Sequence, residues 1–109
     1  MGSRVHQPME NEEFDFILAK ADGPVLAYFW GIWSEACKEM DPIVREIADE
    51  YGTRLITVKT DITRCPAATK RYGVTGAPAF VLIRHGEVTA TGDGPMTRGQ
   101  LRELLDANL

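Results

Sequence analysis

Phe14, Ile17, Leu18 and Ala21 recur at the spacing of one helical face, and Asn11 stands where a side chain would cap such a helix. Gly23-Pro24 ends the pattern. Val25-Leu26-Ala27-Tyr28-Phe29-Trp30 follows, apolar at every position rather than at every second one, as expected of a strand covered on both faces. Helical spacing returns with Ala36, Met40, Ile43, Val44, Ile47 and Tyr51, opened by Ser34 and closed by Gly52. Pro42 lies inside that stretch, where a missing amide donor and a crowded preceding turn predict a kink.

Leu55 to Thr60 reads as a second strand through its β-branched content. Cys65-Pro66 predicts the start of a short helix, with proline at its first position, and Tyr72-Gly73 its end. Ala79 to Ile83 and Glu87 to Thr91 form two strands joined by Arg84-His85-Gly86, an antiparallel hairpin. Thr97 with Gln100 is a capping box ahead of Leu101, Leu104, Leu105 and Leu109. The order helix, strand, helix, strand, helix, strand, strand, helix predicts an α/β fold. A βαβ unit and a β-hairpin share one central mixed sheet, with helices on both faces.

A chain of 109 residues fits one domain, read here as residues 11–109 after a flexible polar tail over residues 1–10. The net charge of −4, with Lys and Arg scattered among acids, argues against nucleic acid or an anionic membrane as partner. No segment approaches the roughly 20 apolar residues of a membrane span, and Met1 to Pro8 lacks the apolar stretch of a signal peptide. The expected setting is therefore cytoplasmic. Two cysteines, Cys37 and Cys65, are too few for a disulfide scaffold. They and the isolated His6 and His85 suggest no metal site, and a monomer without cofactors is expected.

Phe29-Trp30-Gly31-Ile32-Trp33 ahead of a Cys-x-x-Cys-like slot, Pro42, Lys59-Thr60-Asp61, Tyr72-Gly73-Val74, Gly76-Ala77-Pro78, Gly86-Glu87-Val88 and the closing Gln100-Leu101 to Leu109 together resemble thioredoxin. The likeness runs from about Phe14 to Leu109. It implies the thioredoxin fold, thiol–disulfide exchange in electron transport, protein disulfide or thiol substrates, and a thioredoxin-reductase-like donor. In this family an exposed thiolate at a helix start attacks the substrate disulfide and a second, shielded thiol resolves the product. Both depend on the unpaired amides of that helix end.

Here the motif reads Trp33-Ser34-Glu35-Ala36-Cys37, so Ser34 stands at the attacking position and Cys37 at the resolving one. A hydroxyl neither ionises near neutral pH nor forms a disulfide. The resemblance therefore implies a monothiol working through Cys37, or a trapping or inactive form. A trapping exchange of cysteine for serine would imply a Cys-Glu-Ala-Cys parent motif. The family's acid beneath the motif corresponds to Tyr28, while its lysine neighbour is kept as Lys59; the pair remains as a proton-handling remnant. Gly76, Ala77 and Pro78 resemble the cis-proline loop that pairs with an extended substrate. With Trp33, Ile32, Gly94 and Pro95 they make an apolar docking surface. The alternative function is a redox-inactive binding module using that Trp33/Pro78 patch.

Plainer roles stand beside these. Ser34 serves as an N-cap to the amide of Cys37. Cys37 is either a buried small hydrophobe or a thiol favoured as thiolate by the helix start. Glu35 supports the helix dipole and disfavours a neighbouring thiolate. Tyr28 fits a core residue. Cys65, before Pro66 at a helix start, is either an incidental thiol or a regulatory one whose pKa the helix end lowers.

Overall fold

The computed structural model describes residues 5–109. Its elements are β1 (Val5–His6), α1 (Asn11–Lys20), β2 (Val25–Trp30), α2 (Glu35–Tyr51), a 3-10 turn (Gly52–Arg54), β3 (Ile56–Asp61), α3 (Pro66–Arg71), β4 (Ala79–Arg84), β5 (Glu87–Asp93) and α4 (Arg98–Asp106). The sheet order is β1-β3-β2-β4-β5. β1 and β2 run parallel to β3, while β4 is antiparallel to both β2 and β5.

β2 lies at the centre of the sheet, and its alternation divides the core. Leu26 and Tyr28 join Phe80 and Leu82 under the apolar faces of α2 and α4. Val25, Ala27 and Phe29 join Val81 and Ile83 on the opposite face with Phe14 of α1 and Ala68 of α3. Each face of the strand meets its own helix layer, which is why no polar alternation is visible in the run.

The local signals act where the pattern placed them. Ser34 caps α2, accepting from the Cys37 amide, and Gly52 caps its other end. Thr97 and Gln100 close a reciprocal box at the start of α4. His85 and Gly86 take φ of 53° and 79° in the two-residue hairpin turn, where twist-matched turns need both residues left-handed. A β-bulge between Leu82 and Ile83 interrupts the β4–β5 register.

Two expectations change. Val5 and His6, within the segment read as a flexible tail, pair with Thr57 and Val58 and extend the sheet by one strand. Two residues carry no periodicity; the open edge of β3 supplies their partners. The rest of that reading, residues 1–4, lies outside the described residues. Asn11 does not cap α1, whose N-cap is Glu10 without a side-chain bond. Its Oδ1 instead accepts from the amides of Ala67 (3.0 Å) and Ala68 (3.1 Å) at the start of α3. Pro66 has no N–H to offer, so Asn11 satisfies the next two donors and fastens α1 to α3.

Candidate functional site at the start of α2

β2 delivers the chain to the loop Gly31 to Ser34, and α2 then turns back across the sheet. The Ser34 amide donates to Gly31 O at 3.1 Å, closing this loop. A Cβ on Gly31 would lie 2.5 Å from the Trp33 ring, so the glycine is the floor on which the indole rests. Ile32 and Trp33 are exposed at 75 % and 57 %, adjacent large apolar side chains at the tip of the site.

Ser34 Oγ is engaged on both sides. It accepts from the Cys37 amide at 3.2 Å and donates to Ala77 O at 3.3 Å. The hydroxyl thus links the helix start to the Ala77–Pro78 peptide, which is cis. Pro78 is buried, Ala77 half-buried and Gly76 exposed. The Gly94 amide donates to Pro78 O at 2.9 Å, which brings the loop after β5 to the same place. Trp33, Ser34, Gly76, Ala77, Pro78 and Gly94 therefore share one end of the sheet. The apolar face offered to solvent there is made by Ile32 and Trp33 rather than by Pro78.

Cys37, in the first turn of α2, is 2 % exposed, and both cysteines are free. Glu35 reaches out to Lys38 in an exposed pair at 2.9 Å. Beneath Cys37 lies Tyr28, whose hydroxyl contacts Cys37 O at 3.1 Å and donates to Asp41 Oδ1 at 2.9 Å. The ring is stacked on Phe80, its partner across β4, at 5.3 Å. Burial, the hydrogen bond to Asp41 and the charges around it push the hydroxyl well above the ordinary phenol range, so it stays protonated. Lys59, the partner of Tyr28 across β3, pairs with Asp41 Oδ2 at 3.0 Å and lies over the Trp30 ring at 4.4 Å.

A carboxylate therefore does sit beside Lys59, but it comes from the helix. Asp41 lies outside the site that the sequence predicts, because the family's acid corresponds to a strand position, and Tyr28 occupies it here. The available signal was its place one turn after Cys37, on the same helical face and next to Pro42.

Cys65 is placed elsewhere. It is fully buried on the α1/α3 face, with Sγ 3.9 Å from Pro8 O. The expected lowering of its pKa is reversed: burial first, then Asp61 and Glu13, push the thiol up. α3 has only six residues, so its end opposes this weakly. Neither His6 nor His85 forms a ligand set, and among the described residues no three His, Cys, Asp or Glu side chains gather as a metal site.

The family model for thioredoxin matches residues 5–107. A thioredoxin of Acidithiobacillus ferridurans is 36 % identical over 101 residues, covering 93 % of this chain and 94 % of that protein. A thioredoxin of Pseudomonas aeruginosa is 38 % identical over 96 residues, 88 % of this chain and 89 % of that one. A thioredoxin of Allochromatium vinosum is 38 % identical over 98 residues, 90 % and 92 % of the two chains. With the mixed sheet, the two helix layers and the helix-start site assembled in this order, the chain belongs to the thioredoxin family.

Proposed function

We propose that this protein performs thiol–disulfide exchange as a monothiol through Cys37. The observation that carries the reading is the state of Ser34. Its oxygen is occupied by the Cys37 amide and the Ala77 carbonyl, so it serves as a cap, and the one sulfur at the site belongs to Cys37. In the reaction the Cys37 thiolate attacks a disulfide R–S–S–R′. A Cys37–S–S–R bond forms, the S–S bond of the substrate breaks, and R′–S⁻ leaves. A thiolate R″–S⁻ from a small thiol or a second protein then attacks the substrate sulfur of the mixed disulfide: an R–S–S–R″ bond forms, the bond to Cys37 breaks, and Cys37 returns as thiolate. No internal thiol can do this second step at position 34. Cys37 is enclosed, so exchange requires the first turn of α2 to open.

Substrates in this reading are protein disulfides or thiols that lie against Ile32, Trp33 and the Gly76 to Pro78 segment. A thioredoxin-reductase-like protein or a small thiol supplies electrons. The protein acts as a cytoplasmic monomer; among the described residues no helix is long and apolar enough to cross a membrane.

The test is reaction with an aromatic disulfide whose departing thiolate is coloured, followed by peptide mapping. The expected product is a mixed disulfide at Cys37, lost in Cys37→Ala. Failure of Cys37 to react in the folded protein overturns the reading. In the insulin-reduction assay with dithiothreitol the chain should match the blank, and Ser34→Cys should raise the rate.

A second reading is a redox-inactive docking module, favoured by the adjacent exposure of Ile32 and Trp33 beside a capped serine. Client capture that survives Cys37→Ala and fails in Trp33→Ala supports it over exchange.

A further inference from the structure

We infer that the outer edge of β1 accepts an extended segment of a partner protein in which apolar and acidic residues alternate. β1 is the last strand on its side of the sheet, and among the described residues nothing pairs with its free edge. Alternate amides and carbonyls of such a strand point outward and offer a ladder to another chain. Pro8 has no N–H and stops that ladder after Gln7. Side chains must therefore supply most of the recognition.

Both faces of the sheet are open beside this edge. Toward α2, Val5, Val44 and Arg45 border a cavity of about 220 Å³ together with the Asp41–Lys59 pair. Toward α1, His6, Phe16 and Ile17 line an open groove of about 410 Å³ and an adjoining one of about 310 Å³, which Ile56 also lines. Val5 thus serves one face and His6 the other, as the period of a strand requires, and Gln7 at its end reaches both. A strand added about 4.8 Å further out continues the alternation and sends successive side chains into the two spaces in turn.

The linings decide which side chains fit. On the α1 side Phe16 is 63 % exposed, Lys20 lies over its ring at 5.6 Å, and Glu13 is bonded to the Met9 amide. An apolar side chain covers Phe16 and Ile17 there without stranding a charge. On the α2 side Asp41 is already held by Lys59 and Tyr28. Arg45 is exposed and, among the described residues, enters no ion pair. A carboxylate on the added strand meets that guanidinium. A second copy pairing through its own β1 brings Val5, His6 and Gln7, none of them acidic, and leaves Arg45 unanswered. The far edge, β5, carries Glu87 and Asp93 at its ends, charges that discourage an added strand. The β1 surface shares no residue with the Ile32–Trp33 face and is a separate contact.

The experiment titrates the ¹⁵N-labelled full chain with an acetylated, amidated hexapeptide alternating valine and glutamate. Shifts should centre on the Val5, His6 and Gln7 amides, with slowed hydrogen exchange in β1. The net charge of −4 favours a valine–lysine peptide over the surface as a whole, so a preference for the glutamate peptide is local. Phe16→Ala should weaken binding about tenfold and Arg45→Ala about threefold, both at exposed positions outside the core. Arg45→Glu should reverse the preference toward the lysine peptide. The inference is overturned by equal or tighter binding of the lysine peptide to the parent, by equal binding of a peptide with the same residues in two blocks, or by shifts centred on Ile32 and Trp33. An absence of shifts at millimolar peptide also overturns it. Binding that appears only after residues 1–4 are removed, or self-association that protects the same amides, assigns the edge to this chain itself and overturns it as well.

Discussion

Ser34 and Ala77, 43 positions apart in sequence, are joined by a hydrogen bond from the serine hydroxyl to the alanine carbonyl at 3.3 Å. The same oxygen caps α2 through the Cys37 amide. Ser34→Ala removes both contacts. The loss should be about 1 kcal/mol, the usual worth of a side-chain N-cap, with the cross-link to the loop adding to it. Urea unfolding should show a lower midpoint at unchanged slope. An unaltered midpoint would mean that solvent replaces the hydroxyl fully.

Trp33 depends on Gly31 for its position, since the space a Cβ would take is already filled by the indole at 2.5 Å. Gly31→Ala should expel the ring from its seat and leave the core intact. The expected signs are a red shift of tryptophan emission and a several-fold loss of client binding, with unfolding stability lowered by less than about 2 kcal/mol. Trp30 contributes a constant background because its ring is held under Lys59. Emission identical to the parent would place the indole elsewhere.

Asn11 bridges α1 and α3 over 56 residues of sequence through the amides of Ala67 and Ala68. Asn11→Ala should cost about 1 kcal/mol. Hydrogen exchange at Ala67 and Ala68 should accelerate while the amides of α1 keep their protection. Faster exchange in α1 alone would return Asn11 to the role its sequence position suggested.

These residues also show what a single sequence discloses. β2, the cap at Ser34, the box at Thr97 and the turn at His85-Gly86 were legible because each is a local choice agreeing with its neighbours. The fold follows from such choices, and so does the meeting of Ser34 with the loop at Ala77, given the family resemblance. What escaped depends on partners far along the chain. Val5 and His6 become a strand only because β3 has a free edge. Cys65 sits at a helix start, yet its surroundings on the α1/α3 face decide its chemistry. Asp41 meets Tyr28 and Lys59 from the helix, a contact between elements that neither strand's own pattern records.

Tyr51 ties α2 to α4 by donating to Asp106 Oδ1 at 2.6 Å, beside the Arg102–Glu50 and Arg98–Glu46 pairs. Burial, then the bond to Asp106 and its charge, pushes the phenol up to about 12 from 10.0. A raised native value means that the folded chain holds a proton which the unfolded chain has already released between these two pH values. Stability from this group is thus complete below pH 10 and disappears as pH climbs through 12. Tyr51→Phe should lower stability near neutral pH by about 1.5–3 kcal/mol, the range for a hydrogen bond to a charged partner. The gap between parent and variant should then narrow across the alkaline window. Tyr28, raised further by deeper burial, remains in both proteins and leaves a common downward slope. Urea titrations at a series of alkaline pH values measure the difference directly, and a gap that stays constant would show that Asp106 does not hold the Tyr51 proton.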